Sequence, residues 1–132
     1  MMERTAVNPV QWSKALGFNQ GELVEGHTRT LYCAGQTSTG ADGAPVHVDD
    51  MEAQLALSIR NLEAVLDGAG MSMSNLVRLN VYTTDVDLLL RHYGPLAARL
   101  AEAGVAPAST LLGVARLAVP GLMVEIEGTA VA

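Results

Sequence analysis

The sequence predicts an α+β fold in one domain spanning residues 1–132, with a single sheet carrying two helices on one face. Three features carry that expectation. Leu55, Ile59, Leu62 and Leu66 recur at spacings of four, three and four, which draws one apolar stripe down a helix. The segment LVRLNVYTT (76–84) alternates instead, with Val77, Leu79 and Val81 on one face and Arg78, Asn80 and Tyr82 on the other, as in a strand with one dry side. Finally, the elements read in the order β-β-α-β-α-β-β. Helices placed between runs of strands favour helices packed on one side of a sheet.

Segments 22–26 (ELVEG) and 29–36 (RTLYCAGQ) read as short strands, with room for an earlier strand around Thr5–Val7. Residues 37–47 (TSTGADGAPVH) have the Gly, Asp, Ser and Pro content of a loop. Asp49 or Asp50 can cap the first helix by offering a side-chain oxygen to unpaired backbone N–H groups, and Gly68 and Gly70 can end it. Glu52, Arg60, Glu63 and Asp67 fall on its solvent side. Asp85 is a cap for a second helix that runs through Val86, Leu89, Leu90, Tyr93, Leu96, Ala97 and Leu100. Gly94-Pro95 should kink or divide it, because Pro95 has no N–H to donate, and Gly104 closes it. Strands at 109–117 and 122–132 follow, separated by a turn at Pro120-Gly121.

Composition narrows the functional classes. Hydrophobic residues make up 49 % of the chain and charged residues only 17 %, with a mean hydropathy of +0.25. Soluble domains usually carry about 25 % charged residues, so apolar surface is expected to be covered by further copies of the chain. The formal net charge is −6, and the eight Lys and Arg form no basic run. That argues against nucleic acid as a partner, which calls for a positive stripe to displace counterions. Cys33 is the only cysteine, and its strand setting suits a small buried hydrophobe better than a nucleophile. The first 20 residues offer no signal-like apolar stretch, and no apolar run reaches the ~18 residues of a membrane span. A soluble protein of the reducing cytoplasm, without a membrane partner, is the expectation. His27, His47 and His92 lack metal-site spacing, Trp12, Met71 and Met73 read as core or interface filler, and no phosphate-loop glycine pattern occurs. Neither a metal nor a cofactor is expected.

Four segments, in order, resemble the Rid/YjgF family, also labelled reactive intermediate deaminases or endoribonuclease L-PSP. They are LYCAGQTS (31–38), QLALSIRNLEAVLDGAG (54–70), NLVRLNVYTTD (75–85) and VARL…VEIEGTAVA (114–132). The resemblance covers the chain from about Gly17 to Ala132. It implies a chorismate-mutase-like, six-stranded mixed sheet with two helices on one face. It further implies a homotrimer whose sheets line a central barrel, with ligand clefts between subunits.

The resemblance also assigns site residues. Family deaminases grip the carboxylate of an amino-acid imine with an arginine in a P-A-R-(S/T) segment, where a planar guanidinium gives a bidentate ionic clamp. The matching segment here is Pro107-Ala108-Ser109-Thr110, with Ser109 in the arginine's place. Glu125 matches the glutamate that positions the attacking water, and Glu127 matches a second glutamate that is more often structural. Phe18 falls on a cleft aromatic, Ala34-Gly35-Gln36 on a turn whose backbone approaches the ligand, and Tyr93 on a helix tyrosine. Glu125 is thus the candidate catalytic group. Phe18, Ala34, Gly35, Gln36, Tyr93, Ser109 and Thr110 are the candidate ligand-binding residues. The expected function is binding of a small metabolite in intersubunit clefts, with hydrolysis through a Glu125-held water as an added activity. A non-catalytic, regulatory trimer competes with it. Ser109 disfavours 2-iminobutanoate or 2-iminopropanoate deamination, and the acidic charge disfavours endoribonuclease action.

The shortage of charge has a direct test. Size-exclusion chromatography with light scattering at micromolar concentration should return a mass that is a multiple of 13.8 kDa. A monomer alone would show that the apolar surface needs no covering copy.

Overall fold

The computed structural model describes residues 2–132. Six strands appear: β1 (Glu3–Val7), β2 (Gly21–Glu25), β3 (Thr30–Tyr32), β4 (Leu76–Thr83), β5 (Ala108–Gly113) and β6 (Val124–Val131). The helices are α1 (Met51–Gly68), α2 (Val86–Arg91) and α3 (Gly94–Ala103). β3, β6, β4 and β5 lie side by side in that order, while β1 and β2 pair as a separate hairpin. Directions are mixed, since β4 runs parallel to β5 and antiparallel to β6. The hairpin joins the main sheet through Arg4, whose guanidinium donates to the carbonyls of Ser74 (2.7 Å) and Leu76 (2.6 Å). The α+β class and its six strands are therefore as expected, but backbone ladders divide the strands into a sheet of four and a hairpin of two, linked by the Arg4 side chain.

The apolar stripe of α1 sits on the sheet as its spacing requires. Leu55, Ile59, Leu62 and Leu66 are all at most 2 % exposed and pack with Leu79, Val81, Val124 and Ile126. Asp50, the second of the two candidate caps, accepts from the Ala53 N–H at 3.0 Å. Loop 37–47 is held to the same helix, because the Asn61 amide donates to the carbonyls of Thr37 (2.9 Å) and Thr39 (3.2 Å).

Several boundaries differ from the sequence reading. In β4 the register shifts between Leu76 and Arg78, so Leu76, not Val77, joins Leu79 and Val81 in the core. A bulge of this kind lets two residues oppose one, which resets the alternation. The strand expected over 29–36 ladders regularly only to Tyr32, and Gln36 then rejoins β6 through a bridge to Ile126. Pro95 divides the second helix outright, standing in the first turn of α3 where its missing N–H costs nothing. The last β5 residue is Gly113, so Arg116 lies exposed beyond the strand rather than along it. Trp12 is 60 % exposed and is no part of the core, whereas Met71 and Met73 are buried.

One buried amide ties three segments together. Gln54 on α1 is fully buried, donates to the carbonyls of His47 (3.1 Å) and Gly121 (2.8 Å), and accepts from the Met123 N–H (2.8 Å). It thereby fixes the entry to α1 against the turn that feeds β6. Replacing Gln54 with Leu keeps the volume but strands three backbone groups, each worth roughly 1–3 kcal/mol when buried without a partner. Gln54→Leu should lower unfolding stability by about 3 kcal/mol or more, read from urea denaturation. A change within ~0.5 kcal/mol would mean that water replaces the amide freely.

Candidate functional site

The central sheet has two unlike faces. β5 follows β4 in parallel register, with Ser109 beside Leu79, Thr110 beside Asn80 and Leu111 beside Val81. Ser109 and Leu111 therefore share the helix side with the core residues of β4, while Thr110 points with Asn80 to the open side. Because β5 is an edge strand, its helix side is not fully covered. A cavity of about 480 Å³ opens there. Phe18, Tyr93 and Ser109 line it, together with Leu16, Leu90, Val81 and Leu111, and Thr110 borders it although its side chain turns to the open face. Four of the candidate ligand-binding residues, from three separate parts of the chain, thus meet at one cavity.

The turn before β2 supplies its aromatic wall. Gly17 adopts φ 85° and ends the short 3-10 turn Trp12–Leu16, which sends the chain back so that Phe18 faces α3. Trp12 braces Phe18 edge-on, with ring centroids 5.8 Å apart and an interplanar angle of 83°. Tyr93 sits at the break between α2 and α3, and burial pushes its phenol pKa upward. The Ser109 hydroxyl donates to the Pro107 carbonyl at 2.8 Å. Thr110 accepts from the Arg78 guanidinium at 2.6 Å, which reaches it from the open face of the sheet.

The remaining candidates gather elsewhere. Glu125 and Glu127 lie on β6 opposite Tyr82 and Asn80, on the open face. Glu127 accepts from the Tyr82 hydroxyl at 2.6 Å and from the Asn80 amide at 3.2 Å. Glu125 has no such donors among the described residues. Its carboxylate lies across the backbone of Gly35, where an added Cβ would come within 1.9 Å of Oε2. Gln36 pairs its backbone with Ile126 in both directions (2.7 and 3.0 Å), which places Ala34, Gly35 and Gln36 alongside Glu125. Burial, and then the negative charge of Glu127, raise the Glu125 pKa above the ordinary 4.5. Two clusters result: Phe18, Tyr93, Ser109 and Thr110 at the β5 edge, and Ala34, Gly35, Gln36 and Glu125 beside β6. A single chain does not bring them into one cavity.

Leu16, Leu90 and Leu111 escaped the sequence reading as cavity residues, although the i, i+2 relation of Ser109 and Leu111 on one strand already carried the signal for the last. Among the described residues, no three His, Cys, Asp or Glu side chains approach each other closely enough to hold a metal ion. No helix is long and apolar enough to cross a membrane. A further hollow of about 450 Å³ includes Arg60, Glu63, Asp67 and Arg99, but Arg99 is already paired with Glu63 (2.7 Å) and Glu102 (2.6 Å). Cys33 is buried, and desolvation raises its thiol pKa, which disfavours the nucleophilic thiolate.

A small α+β protein with helices on one sheet face and a cavity at the edge strand defines the structural class. The chain belongs to the Rid/YjgF family, whose sequence profile, described as Endoribonuclease L-PSP, matches residues 12–132. The Rid-family protein YyfB of Yersinia pestis is similar over 98 % of both chains, with 33 % identity and a TM-score of 0.78. A YjgF-family protein of Mycobacterium tuberculosis is similar over 98 % of this chain and 100 % of its own, with 27 % identity and a TM-score of 0.67. The mitochondrial protein mmf1 of Schizosaccharomyces pombe is 33 % identical over 89 residues, which span 66 % of this chain and 51 % of mmf1. This chain therefore matches only about half the length of that relative.

The Glu125 environment predicts a pH signature. An acid whose folded pKa lies above its unfolded value contributes stability at low pH, and that contribution is lost as pH rises through the raised pKa. Relative to Glu125→Gln, the parent protein should lose stability as pH rises from the ordinary glutamate range through the raised Glu125 pKa, as read from urea midpoints. A pH-independent difference between the two proteins would show that Glu125 titrates like an exposed glutamate.

Proposed function

We propose that this protein binds a small metabolite in a cleft shared between copies of the chain, and that it hydrolyses its ligand with water held by Glu125. The observation that carries this reading is the division of the candidate residues into two incomplete half-sites. The β5 edge offers an open, mostly apolar cavity with Phe18, Tyr93, Ser109 and Thr110 but no carboxylate. The β6 side offers Glu125 beside Gly35 and Gln36 but no cavity wall. A homotrimer of the kind the family resemblance implies would complete one half-site with the other. Exposed Leu16, Leu90, Leu112 and Tyr32 supply apolar surface for such contacts.

The same cleft disfavours amino-acid imines as substrates. Ser109 gives at most one neutral hydrogen bond, worth roughly 0.5–1.5 kcal/mol, where a guanidinium would give two ionic bonds of roughly 1.5–3 kcal/mol each. Its proton is already committed to Pro107. Arg116 is exposed beyond β5, and Arg78 reaches the strand from the opposite face, so neither replaces the clamp inside the cavity. A non-catalytic binder is the second reading, favoured by the committed Ser109 hydroxyl. Endoribonuclease action is disfavoured by the net charge of −6 and by the glutamates on the open sheet face.

The test is ammonia release from a freshly generated 2-iminopropanoate, followed against the uncatalysed rate. The parent protein should add little to that rate, and Ser109→Arg should tighten carboxylate binding by about 100-fold. Rapid deamination by the parent protein would overturn the reading. For a ligand that the protein does turn over, Glu125→Gln should abolish turnover while leaving binding in place, and unchanged turnover would remove Glu125 from the mechanism.

A further inference from the structure

We infer that the β5-edge cleft selects neutral ligands, and specifically a small carboxamide with a branched or aromatic hydrocarbon body, read by Tyr93 as donor and Ser109 as acceptor. The inference rests on the shared-cleft reading and narrows its ligand class. None of the side chains lining the cavity carries a formal charge at neutral pH. An ionised ligand would leave water without a counter-charge, a desolvation cost that nothing on these walls offsets. Glu125 of a second copy would add negative charge and oppose a carboxylate further.

The cavity's polar groups define what the ligand must present. The Ser109 proton is spent on the Pro107 carbonyl at 2.8 Å, so its oxygen faces a ligand with lone pairs only. The Tyr93 hydroxyl has no hydrogen-bond partner among the described residues, yet it is not sealed into the interior. It is therefore a free donor at the cavity wall, and burial keeps its proton on. One acceptor and one donor, set among Leu16, Phe18, Leu90 and Leu111, match the N–H and C=O of a primary amide on an apolar body. A carboxylate offers acceptors alone. It could satisfy Tyr93 but would turn lone pairs toward those of Ser109.

The experiment compares an isosteric pair, 4-methylpentanamide and 4-methylpentanoate, by calorimetric titration and by amide chemical-shift changes. The amide should bind about 10-fold or more tightly than the carboxylate, with shifts centred on Phe18, Tyr93 and Leu111. Ser109→Arg should reverse the order of the two ligands. Tyr93→Phe should weaken the amide, with thermal melting used to check that the variant folds. If the carboxylate binds more tightly at the same residues, the ligand class is wrong and the cleft stands. If neither compound shifts those residues at millimolar concentration, the inference falls together with the cleft reading.

Discussion

The architecture turns on the two-residue alternation of β6, the strand that lies between β3 and β4 and beneath α1. Val124, Ile126, Gly128 and Ala130 face the helix layer, and Glu125, Glu127 and Thr129 face away. A slip of one residue would drive two carboxylates into the core and expose the aliphatic set, so the register is strongly specified. Gly128 tightens the constraint. A Cβ there would lie 2.7 Å from the Leu76 side chain and 3.4 Å from the Arg78 carbonyl, so the tight seam between β6 and β4 favours its absence. Gln54 then locks the start of the strand by holding the Met123 N–H. With β6 fixed in this way, the positions of Glu125 and Glu127 on the open face follow.

Long periodic patterns were the most legible. The four-three-four stripe of α1 survived intact because a helix longer than four turns averages over local exceptions. β4 was legible as a strand and in its facing from Arg78 to Tyr82, but not at Val77, because one unpaired residue at the bulge reverses parity on only one side of it. The sequence 109–117 carries strand-like residues throughout. Its pairing partner, however, ends at Thr83, and an edge strand without a partner has no ladder to continue. The resemblance placed Phe18, Tyr93, Ser109 and Thr110 together, and the structure brings them to one cavity. It could not reveal that Glu125 belongs to another face, since spacing along a chain does not record which half of a site a second copy would complete.

Glu125 and Glu127 illustrate how position assigns unlike roles to identical side chains. Both lie on the open face, two residues apart, and the charge of Glu127 bears on Glu125. Glu127 is tied by two donors, the Tyr82 hydroxyl and the Asn80 amide, which fix the position of its carboxylate. The same hydrogen bond holds the Tyr82 proton in place and raises its pKa. Glu125 has neither donor, and it is partly desolvated against the Gly35 backbone. Burial, followed by the neighbouring charge, therefore lets Glu125 retain a proton above the ordinary glutamate range. A carboxyl with a raised pKa and free lone pairs can hold and exchange a proton with water, whereas one saturated by a phenol and an amide serves as a brace. Gly35 permits this arrangement by lacking a side chain, and any substituent there would displace the Glu125 carboxylate from the backbone it covers.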